Sequence, residues 1–183
     1  MRYMLLCKVA ELPPAGGPHP TPNDQLQMNF YCRLGIFMAT WQFVESGLSR
    51  VYFKATRAPA ESYNGLKAAF YRNTSFNGRL EMTNDVIKHS SLDATLKGER
   101  DEIKKTLKSY CEKRNKVAHG IVYWAPYEEV VPDNELFVGD NFDNPKYADC
   151  RNRYYFSDLE KMSKEFETAN GALHALFLKL PYP

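Results

Sequence analysis

Three polar side chains crowd the end of one helical segment: Arg114, Asn115 and His119 in "CEKRNKVAHG", residues 111–120. At about 100° per residue, Arg114 falls in the middle of the apolar stripe made by Ile103, Leu107, Tyr110 and Val117. A guanidinium placed there is at least partly buried, which is costly unless something faces it. A carboxylate, backbone carbonyls or a phosphate would serve. Glu45, beside the apolar face of the longest helical pattern, is the carboxylate best placed for the role. Asn115 and His119 are four residues apart and share a face, with Arg114 next to it. An imidazole titrates near a pKa of about 6.5, and a helix C-terminus favours its charged form. The three can therefore border one shallow site able to hold an anion and to titrate. The plain alternative is a helix ending: such ends often carry Arg, Lys or His, and His-Gly is an ordinary stop. On that account Arg114 is satisfied within the protein and no groove surrounds it.

The helix that carries these residues spans 94–119. Acids cluster early in it (Glu99, Asp101, Glu102) and bases late (Lys113, Arg114, Lys116), as the helix dipole favours, and Gly120 is expected as a left-handed terminator. Before it, residues 1–10 read as a short strand or packed arm. Residues 11–23 hold five prolines and two glycines and read as a loop. A long helix follows over about 24–55, capped by Asn23 or Asp24. Phe30, Leu34, Phe37, Met38, Trp41, Val44, Leu48, Val51 and Tyr52 recur along it at helical spacing. A second helix is expected over 60–72, and a third over "FNGRLEMTNDVIKHS" (76–90). Ser91 or Asp93 is expected to start the fourth.

After Gly120 the period changes. "GIVYW", "ELFVGD" and "NRYYF" read as short strands between Pro-, Asp- and Asn-rich turns. "SDLE" at 157–160 is a capping-box pattern, with Ser157 as cap and Glu160 reaching back. Leu159, Met162, Phe166, Ala169, Leu173, Leu176 and Leu180 then line one face of a last helix. The expected class is mainly α: a single domain over 1–183, built as a four- to five-helix bundle with a small β excursion at 120–156.

Composition narrows the classes. A chain of 183 residues suffices for one domain with a real core. A net charge of +2 gives no global electrostatic case for nucleic acid, so any basic surface is local. Aromatics at 14% favour a filled core or a stacking surface. No segment approaches the roughly 20 apolar residues needed to cross a bilayer, and "MRYMLLCKVA" is too short for a signal peptide. A cytoplasmic protein without membrane contact is expected. Cys7, Cys32, Cys111 and Cys150 are far apart and read as free thiols.

"RNKVAHG" resembles the Arg-Asn-x-x-x-His motif of HEPN domains, which are compact helical bundles with the motif near the end of a late helix. The likeness rests on about seven residues and, more loosely, on the helical order from 24 to 180. The HEPN toxins paired with a nucleotidyltransferase antitoxin often carry a tyrosine two residues past the histidine. Ile121 occupies that position here, and Tyr123 lies further on.

The resemblance implies a metal-independent endoribonuclease, needing no cofactor, whose two motifs meet across a homodimer axis. A toxin or phage-defence effector, with an antitoxin or regulatory partner, is within that family's range. In this reading the catalytic residues are Arg114, Asn115 and His119. His119 is general base or acid, Arg114 neutralises charge on the phosphorane, and Asn115 orients His119 or binds a phosphate oxygen. Glu45 supports Arg114 from behind. Lys113 and Lys116, with Lys104, Lys105 and Lys108, would guide the RNA backbone, and Tyr123 would stack on a base. The blander account makes the lysines a solvated face and Tyr123 part of the core. The alternative within the same fold is an inactive module that binds RNA or nucleotides, or that serves dimerisation.

Overall fold

The apolar periods identified above become five helices and a three-stranded sheet. The structure is a computed structural model that describes residues 22–89, 94–124, 136–139 and 153–181. In chain order the elements are α1 (Pro22–Thr56), α2 (Tyr63–Arg72), α3 (Phe76–His89), α4 (Ala94–His119), β1 (Ile121–Trp124), β2 (Leu136–Gly139), β3 (Tyr154–Tyr155) and α5 (Phe156–Lys179). A 3-10 turn at Ala60–Ser62 precedes α2, so the expected second helix is tighter in its first three residues.

Side-chain pairs set the helix directions. Phe37 meets Phe166 at 5.1 Å between ring centroids, and Lys54 Nζ donates to the Phe177 carbonyl at 2.8 Å, so α1 and α5 run parallel. Trp41 packs on Phe76 at 4.6 Å and Glu45 pairs with Arg79 one turn later, so α3 also runs with α1. Lys113 meets Glu165 while Lys179 meets Glu99, so α4 runs against α5. The buried side chains form one core cluster, in which Phe37, Trp41 and Phe166 are wholly covered. Among the described residues most aromatic side chains fill or line this core, while Tyr31, Phe43, Tyr63 and Tyr71 are exposed. The α5 residues Leu159, Met162, Phe166, Ala169, Leu173, Leu176 and Leu180 are all buried, as their spacing predicts.

The sheet has the order β1-β2-β3, antiparallel throughout, with Val122 opposite Val138 and Val138 opposite Tyr154. β2 is buried along its whole length. β1 leaves α4 after a single residue, and β3 runs directly into α5. The sheet therefore sits where α4 ends and α5 begins.

Three local expectations are corrected. α1 begins at Pro22, so Asn23 and Asp24 lie in its first turn rather than ahead of it; proline suits a first helical position, whose N–H has no helical acceptor anyway. α5 begins at Phe156, two residues earlier than "SDLE" suggests. Asp158 accepts from the Tyr155 N–H at 2.9 Å, the part assigned to Glu160, because β3 delivers the chain straight into the helix. Gly120 stays outside the left-handed region. Its need for glycine is steric: a Cβ would press on the Val138 side chain and lie 2.9 Å from the Gly139 carbonyl. The chain must pass from helix to strand at once, beside β2, with no room for a left-handed turn. The arm over 1–10, the loop that follows it and the caps at Ser91 or Asp93 lie outside the described residues. So do Cys7 and Cys150; Cys32 and Cys111 are free thiols. Among the described residues no helix is long and apolar enough to cross a membrane.

Candidate functional site

α3 starts level with Trp41, which leaves an opening between α1 and α4 beside its first turn. A polar groove of about 370 Å³ lies there, lined by Gln42 and Glu45 of α1, Thr74 to Asn77 and Arg79 around the start of α3, and Cys111, Arg114 and Asn115 of α4. The groove thus gathers three of the residues singled out in the sequence: Arg114, Asn115 and Glu45.

Arg114 is half-buried, as its place in the apolar stripe predicts. Its guanidinium stands 6.0 Å from the centre of the Trp41 ring, and its NH1 donates to Asn115 Oδ1 at 3.1 Å. Its Nε is buried and has no hydrogen-bond partner. The expected pairing with Glu45 does not form. Glu45 instead accepts from Trp41 Nε1 at 2.7 Å and from Arg79 NH2 at 2.8 Å. The reason is burial. Arg79 is only 8% exposed against a half-buried Arg114, so it has the greater need of a counter-charge, and the parallel packing of α1 and α3 places it one turn from the Trp41–Phe76 contact. Arg79 also donates to the Asn73 carbonyl at 3.3 Å, while its Nε has no partner.

Arg79 is the residue that sequence reading missed. A signal existed: Phe76, Leu80, Thr83 and Ile87 mark the buried face of α3, and Arg79 falls on it. A buried arginine on α3 competes for the same carboxylate as one on α4.

Asn115 is exposed and directs its Nδ2 to Cys111 Sγ at 3.6 Å. Burial pushes the Cys111 thiol above its ordinary range, and the Arg114 guanidinium only partly offsets this. A neutral buried thiol is a packing group rather than a nucleophile. His119 ends α4, one turn beyond Asn115, and is exposed. It is not part of the groove's lining.

The basic run divides. Lys104 and Lys108 both pair with Glu81 of α3 and hold its carboxyl below the usual range. Lys113 donates to Glu165 at 3.1 Å and lies over the Tyr110 ring. Those three lysines join helices. Lys105 and Lys116 are exposed. Tyr123 pairs with Phe137 in the sheet ladder, and its side chain lies outside the described residues. Among the described residues, no group of three or more His, Cys, Asp or Glu side chains is placed to hold a metal ion.

The arrangement can therefore receive an anion. A guanidinium that meets no carboxylate among the described residues, one amide that steadies it and the hydroxyl- and amide-rich start of α3 border the same space. Comparison with known proteins adds no family to this geometry: no protein-family model, no curated protein and no solved structure matches the chain.

Proposed function

We propose that the chain is a HEPN-type endoribonuclease that cuts RNA without a metal ion, at a cleft completed by a second copy of itself. One observation carries the reading: Arg114 is half-buried in a polar groove, its Nε has no partner, and the nearby carboxylate is already held by Arg79. A phosphate matches the planar fork of such an arginine.

The chemistry needs few groups. The ribose 2′-hydroxyl attacks the adjacent phosphorus, and the bond to the 5′-oxygen breaks. The products are a 2′,3′-cyclic phosphate and a 5′-hydroxyl. Arg114 neutralises the charge that grows on the phosphorane. Asn115 holds one nitrogen of the guanidinium and so fixes the direction of its fork. His119 takes the proton from the 2′-hydroxyl or returns one to the leaving oxygen, and in a dimer the two histidines divide these tasks. In this reading Lys116 and Tyr123 serve the flanking nucleotides, whereas Lys113 acts mainly by pinning α4 to α5.

The test is cleavage of end-labelled structured and single-stranded RNA in EDTA. The parent protein is expected to yield cyclic-phosphate ends. His119→Ala and Arg114→Ala are each expected to lose about 100-fold or more. If both variants cut like the parent, the ribonuclease reading fails. A second reading is favoured by the position of His119 outside the groove's lining: a HEPN-like module that binds RNA through Arg114 and does not cut it. It predicts no cleavage by any variant, with RNA binding lost in Arg114→Ala and kept in His119→Ala.

A further inference from the structure

α1 is apolar on two sides. One side fills the core with Phe30, Phe37, Trp41, Val44 and Leu48. The other faces water, and from Gln25 to Ser49 the charged residues of the helix, Arg33 and Glu45, are both partly buried, Arg33 over the Phe156 ring and Glu45 against Arg79. Exposed large side chains on this helix include Met28 at 48%, Tyr31 at 47%, Ile36 at 37% and Phe43 at 51%. A surface helix normally turns its charges outward, and contiguous exposed apolar surface marks an interaction site. Depletion of charge with enrichment of Met and aromatic residues is the composition of an interface centre.

We propose that this outer face of α1 is the contact between two copies of the chain, packed with their α1 helices antiparallel about a two-fold axis beside Gly35 and Ile36. The sequence of the face supports a second copy over other occupants. In an isologous contact, residue i meets j and j meets i. An axis between 35 and 36 sets Ile36 over Gly35, Cys32 on Ala39 and Met28 on Phe43, each twice. Large faces small at the centre, and a Cβ built on Gly35 has nothing within 4 Å, so a second helix can approach closely there. Further out, Asn29 meets Gln42, two amides able to pair. The first charges beyond the stripe, Asp24 and Arg50, are of opposite sign and come within a turn of each other. An uncharged stripe carries no like-charge penalty when it meets itself. Its 22 residues, 25 to 46, make a strip roughly 30 Å long.

The inference rests on this face alone. It also supplies the second copy that the ribonuclease reading requires, since Gln42 both borders the stripe and lines the groove of Arg114.

Sedimentation velocity of the full chain over a dilution series is the first arm of the test. A reversible dimer is expected. Ile36→Glu and Phe43→Glu each change an exposed side chain and are expected to weaken the dimer at least about tenfold while the chain keeps its helical content by circular dichroism. The second arm is covalent. In a Cys7→Ser, Cys150→Ser background, Ala39→Cys is treated with oxidised glutathione. The thiol at position 39 and Cys32 of the second copy then form one S–S bond, and the glutathione disulfide is reduced to two thiols. Within one chain the two positions are about 10 Å apart along the helix, out of disulfide reach. A covalent dimer with Ala39→Cys, and little without it, supports both face and register. A chain that stays monomeric and uncrosslinked overturns the proposal, as does a dimer indifferent to both glutamates. Monomer that binds phosphatidylcholine vesicles through the same stripe overturns it in favour of a lipid surface. A monomeric glutamate variant that still cuts RNA like the parent leaves this contact standing and removes the composite cleft from the ribonuclease reading. Absence of cleavage by the parent leaves the dimer result intact.

Discussion

Arg79 and Arg114 line the same groove, yet among the described residues only Arg79 has a carboxylate. Arg79 is 8% exposed and reaches Glu45, whose other oxygen is held by Trp41. Arg114 is half-buried, rests near the Trp41 ring and is steadied by the amide of Asn115. The first arrangement is closed: charge meets charge inside the protein. The second is open, because a half-buried cation that meets no carboxylate among the described residues keeps its affinity for an anion brought from outside. Of two similar groups in one groove, the one whose charge the fold has not neutralised is the one left to bind.

The largest expected effect comes from breaking the closed member. Glu45→Ala strands the Arg79 charge and is expected to cost about 3–5 kcal/mol of stability, read by urea unfolding. A loss under about 1 kcal/mol would make the pair ornamental and erase the contrast. The open member should behave in reverse. Arg114→Ala is expected to change stability by less than about 1 kcal/mol while RNA cleavage falls about 100-fold, the equivalent of roughly 3 kcal/mol in the transition state. Equal destabilisation by the two substitutions would place Arg114 among structural residues.

Two smaller changes sharpen the comparison without touching either arginine. Gly120→Ala forces a Cβ against Val138 and the Gly139 carbonyl at the end of α4. It is expected to cost about 1–3 kcal/mol and to reduce cleavage by displacing His119, while RNA binding at Arg114 persists. Glu81→Gln gives the baseline for an exposed ion pair. Lys104 and Lys108 lower the Glu81 pKa in the folded state, so their contribution is full at neutral pH and fades as the pH falls through the carboxylate range. The side chain is 41% exposed, which limits the loss to within about 0.5 kcal/mol at neutral pH, with parent and variant converging in acid.

Much of the fold was legible in the sequence. α4 occupies 94–119 as read, and all three strand segments pair where the period changes from helical to alternating. These are local features, set by side-chain spacing within a few residues and by Pro and Gly at the breaks. Helix starts were less legible. The choice between Ser157 and Tyr155 as the entry to α5 depends on β3, whose pairing with β2 is not local. Of the candidate site, the half-burial of Arg114 and the shared face of Asn115 and His119 followed from helical angles alone. Its partner did not. Glu45 lies in the right groove and on the wrong arginine.

By itself, then, the sequence determined which segments are helices and strands, which faces are apolar, and that Arg114 would stand on a buried edge. Tertiary structure decided how those faces meet. It set α3 parallel to α1, which gave Glu45 to Arg79. It set β2 against Gly120, which made that residue a steric necessity rather than a left-handed stop. It also left Met28, Tyr31, Ile36 and Phe43 of α1 exposed. The physical reason is the same in each case. Periodicity says that a side chain is buried, whereas the identity of its neighbour depends on elements distant in the chain, and counter-charge goes to the ion that burial would otherwise penalise most.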